Sequence, residues 1–95
     1  MNTDKFHQIL YKIYDAAKGK EGYPIAVTPD SRQAVATPDS VYVDAKDIDD
    51  LKGNLNSLVV KGWIDPLLLE TNQNAIGTFL TSVGVQEVIS TRKEN

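Results

Sequence analysis

Apolar side chains at Phe6, Ile9, Leu10, Ile13, Tyr14 and Ala17 recur at i, i+3, i+4, i+7, i+8 and i+11, which predicts an amphipathic helix over residues 3–18. Thr3 is the expected N-cap with Asp4 in the positive first turn, and Lys18 with Gly19 supplies the terminal charge and the left-handed stop. A second stripe, Ile48, Leu51, Leu55, Leu58 and Val59, predicts a helix over residues 44–61. Asp44 is its expected cap, with Asp47 at N3 where a capping box usually has Glu, and Gly62 ends it. Gly53 interrupts this helix at a cost of about 1 kcal/mol relative to Ala, as a bend, a close approach of another element, or a tolerated glycine. A shorter closing helix runs from Ser82 to about Ser90 behind a Thr81 cap, with Val85, Val88 and Ile89 as its apolar side. Residues 91–95 read as a solvated tail.

Between the first two helices the periodicity is lost. Residues 22–43 hold three of the four prolines, and 23–27 and 41–43 read as short extended pieces. The tetrapeptide Thr-Pro-Asp-Ser occurs at 28–31 and again at 37–40. It suits a type I turn, with Pro at i+1, and equally a helix start, with Thr as cap and Pro at the first helical position. The first copy, followed by Arg-Gln-Ala-Val-Ala, is read as the start of a short helix over Pro29–Ala36, and the second, followed by Val-Tyr-Val, as a turn into a strand. The competing arrangement is a β-meander with strands 24–28, 33–37 and 41–43.

Beyond Gly62, residues 63–69 and 75–80 read as two strands joined by the polar loop Glu70–Asn74, a hairpin whose first strand Pro66 places at a sheet edge. The expected core is Phe6, Ile9, Leu10, Ile13, Leu51, Leu55, Leu58, Ile64, Phe79, Leu80, Val88 and Ile89, with Tyr11, Tyr14, Tyr23 and Tyr42 at its edge.

At 95 residues, 41% hydrophobic and 24% charged, the chain fits a single domain over 1–95 with one core. It holds no cysteine, so disulfides and thiolate metal ligands are excluded and stability rests on packing. No apolar run reaches the roughly 20 residues of a membrane span, and the first residues lack the basic and apolar regions of a secretion signal; a cytoplasmic location without membrane contact is expected. The formal charge of −3 repels polyanions at long range.

Two short signatures stand in order in the second half: Leu58 to Ile64, a helix end of the form Leu-x-x-x-Gly-aromatic-Ile, and Leu80 to Gly84, Leu-Thr-x-x-Gly. With one hairpin between them, residues 44–90 resemble a winged-helix domain. In size and arrangement the chain is similar to the small phage-associated winged-helix proteins of Gram-positive bacteria, the YjcQ-like group; the longer, extended residues 20–43 depart from that pattern. The resemblance implies an α+β fold of three to four helices with a β-hairpin wing in the C-terminal half. It also implies a DNA-binding regulator that would use helix 44–61 and the wing 64–80.

On that reading Asn54, Asn56, Ser57, Lys61 and Arg32 are the candidate DNA contacts, with Lys18, Lys20, Arg92 and Lys93 as further backbone contacts. Against it, the start of helix 44–61 carries Asp44, Asp47, Asp49 and Asp50 against Lys46 and Lys52, and the loop 71–74 offers amides and no cation. The leading reading is therefore a small non-catalytic bacterial or phage regulatory module acting through protein–protein contact or as a homodimer, with Trp63, Leu67, Leu68 and Leu69 as its contact surface; the acidity favours this version over DNA binding, which is the alternative. The Asp cluster lacks the spacing of a Ca²⁺ loop, and no metal or cofactor is expected. His7, the only histidine, has no catalytic partner in sequence and reads as a surface helix residue; nucleophile elbows and phosphate loops are missing, so no enzyme activity is expected.

Overall fold

A computed structural model of the protein describes residues 4–30, 32, 39–66 and 75–92. The elements in chain order are α1 (Lys5–Ala16), β1 (Ile25–Thr28), β2 (Ser40–Tyr42), α2 (Ile48–Val60), β3 (Ile64–Pro66), β4 (Ile76–Leu80) and α3 (Ser82–Thr91). This is an α+β domain with three helices and one four-stranded mixed sheet among the described residues.

Both long helices begin later than their sequence pattern suggested, because the residue that caps is the one whose carboxylate reaches the orphan amides. Asp4, not Thr3, is the N-cap of α1: its Oδ1 accepts from the His7 amide at 2.8 Å. Asp47, not Asp44, caps α2, accepting from the Asp50 amide at 2.9 Å, while Asp50 reaches back to accept from the Lys46 amide at 3.0 Å. This approximates a capping box displaced by three residues: the amide that Asp50 takes belongs to Lys46, one residue before the cap, instead of to the cap itself. Thr81 caps α3 as expected, its hydroxyl accepting from the Gly84 amide.

The sheet order is β2-β1-β4-β3. β1 pairs antiparallel with β4 (Ile25 with Thr78, Val27 with Ile76), and β4 pairs antiparallel with β3 (Ile64 with Leu80, Pro66 with Thr78). Pro66 thus lies on an edge strand, where its missing donor costs nothing. β1 pairs parallel with β2, Val27 opposite Val41. β1 thus has β2 on one side and β4 on the other, and the middle strand of the competing β-meander, 33–37, lies outside the described residues. A parallel neighbour needs a crossover rather than a tight turn, which explains the length of the segment between the first two helices.

The two Thr-Pro-Asp-Ser copies part company. Thr28 is the last residue of β1; its hydroxyl accepts from the Asp30 amide at 3.1 Å, and Asp30 in turn accepts from the amide of the helical Arg32 at 3.0 Å. In the second copy Asp39 takes a left-handed φ of 59° in the turn that delivers Ser40 to β2, and its carboxylate accepts from the Tyr23 hydroxyl. The helix expected over Pro29–Ala36 falls, apart from Pro29, Asp30 and Arg32, outside the described residues, as do Leu67–Leu69 and the loop Glu70–Asn74.

One continuous core joins Ile9, Leu10, Ile13 and Ala17 of the first helical segment, Leu51, Leu55 and Leu58 of α2, Ile25, Val27, Val41, Ile64 and Leu80 of the sheet, and Val43, Trp63 and Val88. α1 touches both other helices and β1, β2 and β4, so it sits at the centre of the packing. Of the expected core, Phe6 and Phe79 are half-buried, and Ile89 is 52% exposed on the outer side of α3. Val88 and Gly84, four residues apart, form the buried side of α3 instead. The four tyrosines are half-buried, as expected. The tail begins later than expected: Thr91 is helical, and Arg92 forms a two-pronged contact with Asp15 of α1, at 2.8 and 3.1 Å.

α2 ends in a Schellman turn. Gly62, at φ 80°, donates to the Val59 carbonyl and Trp63 donates to the Leu58 carbonyl, with Trp63 and Leu58 both buried. The Thr81 amide then donates to the Trp63 carbonyl, and the Thr81 hydroxyl donates to the Gly62 carbonyl. Gly84 lies directly on this turn: a Cβ there would be driven into the Trp63 carbonyl oxygen and within 2.9 Å of its carbon. Since backbone rather than a pliable side chain blocks the space, Gly84→Ala is expected to destabilise the fold by about 2–3 kcal/mol, the range of an overpacked interior, measured by urea denaturation. A loss below about 0.5 kcal/mol would show that α3 is not seated on the turn.

Candidate functional site

The helix preceding the hairpin carries most of the expected contact residues, and its periodicity sorts them. Leu51, Asn54, Leu55 and Leu58 face inward, whereas Asp49, Lys52, Gly53, Asn56 and Val60 are exposed and fall at i, i+3, i+4, i+7 and i+11, one outer stripe of α2. Asn54, expected among the DNA contacts, is therefore misplaced by the sequence reading. It lies three residues after Leu51 and four before Leu58, on the apolar side, and is only 9% exposed. Its side-chain Nδ2 is buried with no hydrogen-bond partner among the described residues.

The remaining candidates are scattered. Asn56 is exposed on the outer stripe. Ser57 spends its hydroxyl on the Gly53 carbonyl at 3.3 Å. Lys61 is exposed, with its ammonium 5.2 Å from the centroid of the Trp63 ring. Arg32 extends into solvent near Asp30, their charged groups 3.8 Å apart. Of the expected protein-contact surface, Trp63 is 7% exposed and belongs to the core, so it offers no docking face; Leu67, Leu68 and Leu69 lie outside the described residues.

Electrostatically the N-terminal end of α2 is acidic. Asp44, Asp47 and Asp49 are exposed there and Asp50 half-buried, with Asp49 and Asp50 in the first helical turn. Two of these carboxylates are engaged in the cap, and all complement the helix dipole. Halfway along the outer stripe Gly53 leaves a notch: a Cβ built there meets nothing within 4 Å. Of the three readings of this glycine, a close approach of another element is not found among the described residues. Farther along, Val60 is 78% exposed.

A second cluster was missed by the sequence reading, which set His7 apart as an ordinary surface residue. His7 is half-buried between α1 and α3. Its Nδ1 lies 2.7 Å from Asp4 Oδ2 and its Nε2 lies 2.8 Å from Glu87 Oε2. Its ring centroid is 4.7 Å from that of Trp63 and 6.0 Å from that of Tyr11. The Tyr11 hydroxyl shares a hydrogen bond with Thr91 at 2.7 Å, and the Arg92 guanidinium lies over the Tyr11 ring. The bond to Glu87 holds His7 above its ordinary pKa, with Asp4 adding to the effect and partial burial opposing it. The backbone and side-chain bonds from His7 hold Asp4 below the usual carboxylate value. The available signal was spacing: His7, Leu10, Tyr11 and Tyr14 lie at i, i+3, i+4 and i+7, which puts the imidazole on the flank of the buried stripe.

Among the described residues no group of three or more acidic, histidine or cysteine side chains is arranged to hold a metal ion, and no described helix is long and apolar enough to cross a membrane. No family model, curated protein or solved structure matches this chain.

Two substitutions test the sorting of α2 into inner and outer faces. Asn54→Leu fills the same inward position and removes an unpartnered amide, so it is expected to raise stability by about 1 kcal/mol. Gly53→Ala adds a methyl group in open space to a helix interior and is expected to raise stability by about 0.5–1 kcal/mol. Both are read from urea midpoints at unchanged slope; destabilisation by Asn54→Leu would mean that Asn54 is solvated on the outer face.

Proposed function

We propose that the protein is a small non-catalytic regulatory module of winged-helix type that acts through protein–protein contact, with the outer stripe of α2 as its contact face. The order β1-β4-β3, with a helix running directly into the β3–β4 pair, supports the winged-helix reading. The strand β2 is then an addition at the edge of β1, which accounts for the longer segment that departs from the winged-helix pattern.

The observation that carries the choice of partner is the composition of α2. At the end where a recognition helix meets bases stand Asp44, Asp47, Asp49 and Asp50, and the best base-reading candidate, Asn54, is buried. Lys46, Lys52 and Lys61 are the lysines along this segment, too few to make a helix with that acidic start attractive to phosphate. A stripe holding one carboxylate, one ammonium, one amide, a bare glycine and an exposed valine instead suits a protein surface, where a mixed polar rim surrounds a small apolar contact. The alternative, a sequence-specific DNA-binding regulator using helix 44–61 and wing 64–80, keeps Asn56, Lys61 and Arg32 as exposed candidate contacts among the described residues.

A gel-shift series on mixed-sequence duplex DNA is expected to give no retarded complex even at low salt. A complex whose affinity falls steeply with salt would transfer the assignment to the DNA reading. Sedimentation velocity over a concentration series reads the protein contact: self-association is expected for the wild type and is weakened by Val60→Glu, whereas an unaltered sedimentation profile in the variant would remove α2 from the interface.

A further inference from the structure

We propose that His7 is a proton-dependent clamp that ties the first helix to the last, closed by the imidazolium and opened by its deprotonation. Both partners of the ring are carboxylates, Asp4 on Nδ1 at 2.7 Å and Glu87 on Nε2 at 2.8 Å. An ionised carboxylate only accepts hydrogen bonds, and a neutral imidazole has one N–H donor and one bare lone pair. The neutral ring therefore satisfies one carboxylate and turns a lone pair on the other, whichever tautomer it adopts. Only the imidazolium donates to both, and each of those bonds is then charge-assisted.

The surroundings favour the same state. From α1 the ring faces Asp4 and Tyr11; from α3 it faces Glu87, with Arg92 beyond Tyr11 but already paired with Asp15. From the turn after α2 it faces Trp63, whose indole attracts a cation. Lys61 is the other cation at that indole. Two carboxylates against these engaged cations leave a local field that stabilises positive charge on His7. The clamp joins residues 80 positions apart and closes the side of the domain where α1 and α3 meet.

The sign of the pH dependence follows. His7 has a native pKa above its unfolded value of 6.5, so its contribution is fully present below that pH and is lost as pH rises through the native value. Asp4 has a native pKa below 3.8, so its contribution is present above that pH and is lost as pH falls through the lower native value. The clamp is closed in the interval between.

His7 and Trp63 are the only imidazole and the only indole of the chain, which makes both directly observable. NMR titration of the His7 ring in the full chain is expected to give a midpoint above 6.5, and Trp63 fluorescence is expected to change with the same midpoint. Glu87→Gln should lower that midpoint toward 6.5, and Asp4→Asn, which keeps a capping side chain, should lower it by a smaller step. Urea unfolding between pH 5.5 and 8.5 should show the unfolding equilibrium constant rising by up to about tenfold for each unit of elevation, a rise that Glu87→Gln reduces. A wild-type midpoint at or below 6.5, or one that Glu87→Gln leaves in place, would overturn the clamp.

Discussion

The arrangement depends on one joint, where the turn that ends α2 meets the start of α3. Four backbone or hydroxyl contacts converge there within a few residues. The Trp63 amide is taken by the Leu58 carbonyl, the Trp63 carbonyl by the Thr81 amide, the Gly62 carbonyl by the Thr81 hydroxyl, and the Thr81 hydroxyl by the Gly84 amide. Thr81 therefore takes an orphan amide at the start of α3 and donates to the Gly62 carbonyl in the turn after α2 with a single side chain. Gly84 completes the joint by presenting no Cβ to the Trp63 carbonyl. The exit angle of α2, the start of β3, the end of β4 and the entry angle of α3 are all set at this point. The same joint buries Trp63 and turns its ring toward α1, where His7 packs on it.

The other half of the domain is organised around β1, which carries β4 on one side and β2 on the other. The pairing with β2 is parallel, so β1 and β2 cannot be joined by a two-residue hairpin turn. β2 itself holds little apolar surface beyond Val41, and Lys12 of α1 reaches its end, donating to the Tyr42 carbonyl at 3.1 Å. α1 thus lies against the parallel pair as well as against both helices, which is why its stripe of Ile9, Leu10 and Ile13 is buried to within a few percent.

Much of this was legible in the sequence wherever a periodic apolar stripe or a stop residue carried the information. The three helices, the pairing of 64–66 with 76–80, the edge position of Pro66, and the roles of Gly62 and Thr81 all followed from such local rules. The starts of α1 and α2 did not, because Thr3, Asp4, Asp44 and Asp47 are all chemically competent caps and only the path of the preceding chain selects among them. The parallel strand β2 was read as extended but not placed, since a three-residue Val-Tyr-Val run says nothing of its partner. Ile89 and Asn54 were exchanged in effect. Each sits on a boundary of its helical stripe, where residue type argued one way and the packing of α1 and the sheet decided the other. The His7 cluster is long-range, and no local pattern joins positions 7 and 87.

The two regions of interest differ in what holds them. α2 is fixed to the sheet by Leu51, Leu55 and Leu58 and by the backbone joint at Gly62, interactions that do not change with protonation. The contact between α1 and α3 is held at its rim by His7 with Asp4 and Glu87, by Tyr11 with Thr91, and by Arg92 with Asp15. These are charged or polar contacts over a smaller apolar base, since α3 buries only Gly84 and Val88. A change of pH or salt therefore acts first on the seam between the terminal helices and leaves the outer stripe of α2 in place.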